Sequence, residues 1–510
     1  MSQYSFGKGV YRGLNLNTEP LHFGRKVKGS LLGIPNGGSV KVYRAFEEAS
    51  ETAKHGNNKT NSSSVNQTVD SLAKKTLHSS DNKSLKPPSD YSLARILSEN
   101  NNFAIIENQV FLGDESKGYY IALIGSEADT LIRKRIPEQL RKYATSKNIK
   151  EVLQWIKTFD LKPPDSCLEN RKYYLNCTNA VVDSRDLSTY PKSLDFYFTS
   201  VINSTYPIGY NPRGVTFENT MKRITGGNQE IYMLIQEIFG YILSELRNLK
   251  HIFFFLGPKN CGKSLLINLL VELVGKEFTS NLSLHDFHSQ FRLSRLYGKK
   301  LNCFGETSEA AITRLDLLKA ASGGDYLTGE FKYENCFEFI NRAALLFAGN
   351  HLPKLKVADQ NNAFTERLLV VPFLHPVKKH EQDVHLLQKL LSEKPYITKW
   401  AITGLNRLVG NNFQFTKCEQ SDEILAAYRR RINSVQMFVD ECCVLDPAVR
   451  THTYILEEAY RDFCLRMGAV PLEDKFFHDA IKSIPGVISS RFRVDRENRN
   501  GYIGIALYEP

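Results

Sequence analysis

The chain has 510 residues, of which 42% are hydrophobic and 24% charged, the balance of a soluble globular protein long enough for about two to four domains. Its 66 Lys+Arg against 55 Asp+Glu give a net charge of +11, which suits a partner made of phosphates without requiring one. No apolar run reaches the ~20 residues needed to cross a bilayer, the start MSQYSFGKGV lacks a signal-peptide core, and the nine cysteines show no paired CxxC spacing for zinc. A cytoplasmic protein with reduced thiols and no membrane partner is expected.

Residues 1–47 carry Lys8, Arg12, Arg25, Lys26, Lys28, Lys41 and Arg44, and fit either a DNA-binding arm or a solvated basic face. Residues 48–90 turn to Asn, Ser, Thr and Lys, too poor in large apolar side chains to build a core, and predict a flexible linker. Residues 91–214 return to globular patterning. There, helical stretches such as LIRKRIPEQLRKYATSKNIKEVLQWIKTF lead into YYLNCTNAVVDSRDLSTYP, which alternates like strands and turns. Residues 215–417 interleave short apolar strands with helices, the pattern of a parallel α/β nucleotide-binding domain.

The motifs of that block carry the chemistry. In HIFFFLGPKNCGKSLLINLL the run Ile252–Leu256 predicts a buried strand, and Gly257, Pro258, Lys259, Asn260, Cys261, Gly262, Lys263 and Ser264 fill the phosphate-loop pattern GxxxxGK[ST]. The glycines let backbone amides curl around phosphates, Lys263 neutralises the β/γ oxygens, Ser264 can hold magnesium, and the following helix points its positive end at the anion. KKLNCFGETSEA offers a second strand ending in Glu306, placed to polarise an attacking water and to stand near the metal. ATP and Mg2+ are therefore the expected cofactors.

Next comes LDLLKAASGGDYLTGEFKYENCFEF, a helix with Lys319, a break at Gly323-Gly324, and a hairpin with Lys332 and Tyr333 near its tip. A cation beside an aromatic there suits a nucleic-acid backbone, the alternative being a solvated hairpin. NRAALLFAGN ends in Asn350, an amide suited to orient water against a γ-phosphate, and FTERLLVVPF opens a strand with Arg367, a candidate arginine finger acting across a subunit boundary. Arg342 is the competing candidate.

Residues 418–510 predict helices followed by a hairpin. SDEILAAYRRRINSVQMFVDECC, THTYILEEAYRDFCLRMG and LEDKFFHDAIKSI read as helical, and GVISSRFRVDRENRNGYIGIAL as two strands turning at Asn500-Gly501. Together they suggest a winged helix. Arg491 and Arg493 share one face of the wing and could grip duplex phosphates, the alternative being a protein-docking module.

The succession GPKNCGKS, a strand with one glutamate, KAASGGD, FKY, AGNHLP and ERLLVVPF resembles superfamily 3 helicases of the poxvirus and phage-satellite primase-helicase branch, over about residues 91–510. The resemblance implies an AAA+-like motor behind a helical region, usually a homo-hexamer, hydrolysing ATP between subunits and moving 3′-to-5′ on single-stranded DNA. It puts Lys263, Ser264, Glu306, Asn350 and Arg367 at nucleotide-site positions and Lys332 on the DNA-facing hairpin. The expected function is a replicative DNA helicase of a virus or mobile element, working with single-stranded and duplex DNA and a replication loader or host polymerase; an ATP-switched origin binder is the alternative. Two departures stand out. Gly305 takes the place where many relatives have a second acid, and residues 1–47 are too short for a primase and carry no DxD or DxE pair, so no primase activity is expected.

Overall fold

The computed structural model describes residues 88–510 apart from 248, 307–311, 313, 332–335, 356–361, 470, 495–496 and 509–510. The expected basic segment 1–47 and nearly all of the linker 48–90 lie outside the described residues.

Residues 88–161 gather around a core of their own. Ser89 caps helix α1 (Asp90–Asn100), its hydroxyl accepting from the Ser92 amide, as an unpaired first-turn donor requires. Strands β1 (Phe103–Ile106), β2 (Gln109–Asp114) and β3 (Tyr119–Ala122) form an antiparallel meander. Glu107 and Asn108 link β1 to β2 at φ 50° and 61°, the mirror-image turn whose twist matches the strands. Helix α2 (Gly125–Arg135) ends where Ile136 turns extended before Pro137, since proline disfavours a helical predecessor. Helix α3 (Ser146–Ile156) buries Ile149, Val152 and Ile156 against Leu93 and Leu97 of α1. Three short strands follow, β4 (Tyr174–Asn176), β5 (Val181–Asp183) and β6 (Thr189–Tyr190), forming a second antiparallel sheet.

The centre of the chain is a parallel sheet. Helices α4 (Val215–Thr225) and α5 (Gln229–Leu243) lead into β7 (Ile252–Leu256), α6 (Lys263–Val274), β8 (Thr279–Ser280) and β9 (Leu301–Phe304). Helix α7 (Asp316–Gly323), the hairpin β10 (Tyr326–Gly329) and β11 (Phe337–Ile340), then β12 (Ala344–Gly349) and β13 (Leu368–Pro372) complete it. Five strands run parallel in the order β13-β7-β12-β9-β8. β7 lies between two neighbours and buries Ile252 through Phe255, which is why IFFFL is apolar throughout instead of alternating.

Alternate residues of these strands feed two cores, as the period of two demands. Phe253, Phe255, Leu346, Ala348 and Val371 face α5, α6 and the later helix α9 (Lys394–Gly410), which follows the short α8 (Leu386–Ser392). Ile252, Phe254, Leu345, Phe347 and Val370 face the other layer. Helices α5 and α9 approach closely at two glycines. A Cβ on Gly240 would lie 2.4 Å from the Ala401 carbonyl oxygen, and one on Gly404 2.4 Å from that of Gln236.

Helix α10 (Glu419–Ile432) was expected with the C-terminal module, but it packs on the sheet. Leu425 and Tyr428 join the second core, Ser421 Oγ donates to Val370 O at 2.7 Å and Tyr428 Oη to Pro353 O at 2.6 Å. A separate core gathers from Val435 onward. It is built by α11 (Ser434–Cys442), β14 (Cys443–Val444), β15 (Arg450–His452), α12 (Thr453–Met467), α13 (Asp474–Lys482), β16 (Ile488–Val494), β17 (Glu497–Ile503) and β18 (Ala506–Leu507). Strands β15, β17 and β16 make an antiparallel sheet in that order.

The expected turn at Asn500-Gly501 is corrected by the register. β16 and β17 pair from Ile488↔Ile503 to Val494↔Glu497, so the chain reverses between Val494 and Glu497 and Asn500-Gly501 lies within β17. Gly501 is there for close packing: a Cβ would meet the Phe492 ring and the Thr451 carbonyl oxygen, both at 2.5 Å. Among the described residues no helix is long and apolar enough to cross a membrane.

Candidate nucleotide site

Parallel strands bring their following loops to one edge, and a crevice at that edge is where such sheets bind ligands. Gly349 of β12 is in register with Leu256 of β7, and Phe347 with Phe304 of β9. The residues just beyond these ends, Gly257–Ser264, Gly305-Glu306 and Asn350, therefore come together. Lys259–Ser264, Gly305, Glu306 and Asn350 line a cavity of about 990 Å³, the upper range for a small-molecule site.

The loop after β7 is shaped by its glycines. Gly262 takes φ 91° at the N-cap of α6, a region that disfavours side chains. A Cβ on Gly257 would fall 2.0 Å from the Phe373 carbonyl oxygen, so no larger residue fits. Gly257 N donates to Gly349 O at 3.1 Å, tying the loop to the end of β12. Lys263 opens α6 and is buried; its Nζ donates to the carbonyls of Gly257 at 2.5 Å and Pro258 at 2.7 Å. Burial lowers the Lys263 pKa, with the neighbouring Cys261 pulling the other way to a smaller extent. A buried ammonium satisfied only by loop carbonyls has strong use for an anion. Ser264, Glu306 and Asn350 are exposed to the cavity. Gly305 has open space where its Cβ would stand, with nothing within 4 Å. The site therefore has room for a second acid that this chain does not use.

Among the described residues no cluster of three or more His, Cys, Asp or Glu side chains could hold a metal by itself. A magnesium ion suits such a place, because it takes one or two protein oxygens and completes its shell with phosphates and water. Ser264 and Glu306 fit that donor set.

The other expected site residues lie elsewhere. Ile252 N donates to Arg367 O at 2.7 Å, which puts Arg367 at the opposite edge of the sheet from the loop. Its guanidinium donates to the Ala363 carbonyl, and it does not line the cavity. Arg342 stands at that same edge, paired with Glu107 of the 88–161 unit, Nε to Oε1 2.9 Å. Lys319 lies half-buried on α7, away from the cavity. Lys332 and Tyr333 lie outside the described residues. The strands flanking them pair from Tyr326↔Ile340 to Gly329↔Phe337, with Phe331 stacked on Phe337 at 5.0 Å.

Sequence reasoning missed one wall of the cavity. Asn219, Thr220 and Arg223 come from α4, and His375, Val377, Glu381, Asp383 and Lys389 from the stretch after β13. Arg223 pairs with Glu381, and Lys389 Nζ with Asp383 Oδ2 at 2.6 Å. Val377 N donates to Asn260 O at 2.9 Å, fastening that stretch to the phosphate loop.

In the C-terminal sheet Arg491 and Arg493 are exposed and stand opposite Asn500 and Asn498. The other face carries Arg450 over the Phe492 ring at 5.9 Å, while Arg499 lies over Tyr454 at 4.9 Å.

Two family models match the chain. One, described as D5 N terminal like, matches residues 57–226, and one described as a family of unknown function (DUF5906) matches residues 255–367. The second runs from within β7 to Arg367. No curated protein matches. Among solved structures, the A form apo structure of the NrS-1 C terminal region is similar at 12% identity and TM-score 0.43, over 82% of this chain and 100% of that one. The apo structure of the NrS-1 C terminal region (305–718) is similar at 12% identity and TM-score 0.42, with the same coverage.

Proposed function

We propose that the chain is an ATP-driven DNA helicase of the superfamily 3 kind, with an AAA+-like motor around the parallel sheet and a winged helix from Val435 onward. The observation that carries this is the convergence of Lys259–Ser264, Glu306 and Asn350 on one cavity at the carboxyl ends of adjacent strands. Two further features support it. The five parallel strands, counted in chain order, stack 5-1-4-3-2, so the strand before the phosphate loop lies between the strand that ends at Asn350 and the strand that starts after Arg367. The C-terminal unit runs α11, β14, β15, α12, α13, β16, β17, β18, and its three helices beside the β15-β17-β16 sheet fit the winged-helix reading.

Each side chain then has a task. The loop amides and Lys263 hold the phosphates, Glu306 accepts the proton of the attacking water, and Asn350 orients that water. Magnesium, held by Ser264 and Glu306, would neutralise charge on the phosphate oxygens. Arg367, at the far edge of its own sheet, would serve the cavity of a neighbouring subunit in a homo-hexamer, stabilising charge as the phosphoryl group transfers. Lys332 and Tyr333 would contact the translocated single strand, and Arg491 and Arg493 duplex phosphates.

The test is strand displacement on forked DNA with a 3′ or a 5′ tail. The wild type should separate the 3′-tailed substrate when given ATP, and Lys263→Ala should lose both displacement and hydrolysis, by at least ~100-fold. A wild type that binds the fork and hydrolyses ATP but leaves the duplex paired would instead make it an ATP-switched origin binder.

A further inference from the structure

We propose that Arg223 is a nucleotide-binding cation held by an intramolecular competitor, Glu381 on the strap that follows β13, which a bound nucleotide must displace. This rests on the phosphate-loop reading above and extends it to a residue that no phosphate-loop motif contains.

The cavity has two walls of different character. One is the loop, with Lys263 bonded to carbonyls. The other is α4 facing the strap, and there the cations Arg223 and Lys389 are each matched by a strap carboxylate, Glu381 and Asp383. Glu381 and Arg223 are 158 residues apart in sequence, so this pair joins two separate elements across the cavity. A triphosphate entering here would compete with the Glu381 carboxylate for the Arg223 guanidinium. The conflict ends if the guanidinium exchanges a carboxylate for phosphate oxygens, which it can grip with two parallel N–H donors.

The two partners differ in how firmly they are held. Helix α4 is anchored: Glu393 accepts from the Thr216 and Phe217 amides at 3.0 and 2.7 Å, and Glu218 accepts from Tyr232 Oη at 2.8 Å and Tyr396 Oη at 2.6 Å. The strap is a single 3-10 turn, Lys379–Glu381, followed by Val384 at 88% exposure. It is also fastened to the phosphate loop through Val377 N and Asn260 O. Arg223 therefore stays in place while the strap yields, and movement of the loop around a phosphate reaches the strap through one hydrogen bond.

An exposed ion pair with no such role contributes little and its loss would leave nucleotide affinity unchanged. Equilibrium titration of the full chain with a fluorescent ATP analogue and magnesium separates the two cases. Glu381→Gln should tighten binding by about three- to fivefold, a gain that damage to the fold cannot produce. Arg223→Ala should weaken it by about tenfold, and the double variant should match Arg223→Ala, because Glu381 acts only through Arg223. Adenosine, which lacks phosphates, should bind all of these variants alike. Affinity unchanged or weakened in Glu381→Gln, or unchanged in Arg223→Ala, overturns the proposal while Lys263→Ala still loses the triphosphate. Triphosphate binding that survives Lys263→Ala overturns the phosphate-loop reading itself.

Discussion

The two edges of the parallel sheet are made by the same strands and treat charge in opposite ways. At the carboxyl edge Lys263 is buried among carbonyls, while Glu306 and Asn350 face a cavity. At the amino edge buried Lys300 and Arg171 stand with half-buried Glu245 and Arg247; one ion pair joins Lys300 to Glu245, and the arginines donate to main-chain carbonyls. Lys300, just before β9, donates from Nζ to Glu245 Oε1 at 3.2 Å and to Ser200 Oγ at 3.0 Å. Arg247 donates from Nε to Arg342 O at 2.6 Å and from Nη2 to Lys300 O at 3.2 Å, and Arg171 from Nη1 to Tyr197 O at 2.6 Å. Burial alone would raise the Glu245 carboxyl, but the positive charges of Lys300, Arg171 and Arg247 bring it down to about 2. One edge thus holds its polar groups ready for a ligand, and the other consumes them in fixing the strands.

The largest expected effect breaks the comparison at Arg367, which sits at the amino edge yet is assigned a catalytic task. Arg367→Ala should cut ATP hydrolysis by about 10³-fold or more. Mixing it with Lys263→Ala, which keeps its arginine but lacks a working loop, should restore part of the rate through mixed boundaries. No recovery on mixing would confine Arg367 to its own subunit, where it holds Ala363.

A smaller effect sharpens the structural role of the amino edge. Glu245→Gln should lower stability by about 3–5 kcal/mol, because it leaves buried Lys300 without its carboxylate beside the charges of Arg171 and Arg247. The sign with pH follows from the depressed carboxyl. Its stabilisation is complete above the ordinary value of 4.5 and is lost as pH falls toward about 2. Chemical denaturation followed from neutral to acid pH should show that loss in the wild type and a flatter limb in the variant. Equal slopes would remove Glu245 from the account.

The smallest expected effect is at the carboxyl edge. Gly305→Asp should change stability by less than ~0.5 kcal/mol, since its Cβ meets nothing. A melting curve shifted well below the wild type would show that the space is not available.

How much of this was legible in the sequence follows from how local each signal is. The phosphate loop and the strand before it are contiguous, so GPKNCGKS after IFFFL could be read directly. Glu306 and Asn350 follow apolar runs, and strand tips are also local. Arg223 was hidden. It sits in the last turn of a helix ending at Gly226, where a basic residue is already explained by the helix dipole, and only folding brings Glu381 to it. The Asn500-Gly501 pair carried a strong turn signal, but tertiary packing of Gly501 against Phe492 and Thr451 used the glycine differently. Helix α10 was readable as a helix, whereas the choice between two cores for Leu425 and Tyr428 was not, because periodicity names a buried face but not its partner.

The claim that joins these points is that the carboxyl edge of the sheet, and not the amino edge, receives the nucleotide. Backbone hydrogen exchange with and without magnesium ATP measures it directly. Amides of 257–264 and of Gly349-Asn350 should be slowed most by the nucleotide, and this protection should vanish in Lys263→Ala, while 242–247 changes in neither protein. ATP that binds without protecting the loop, or that protects 242–247 most strongly, would contradict the account.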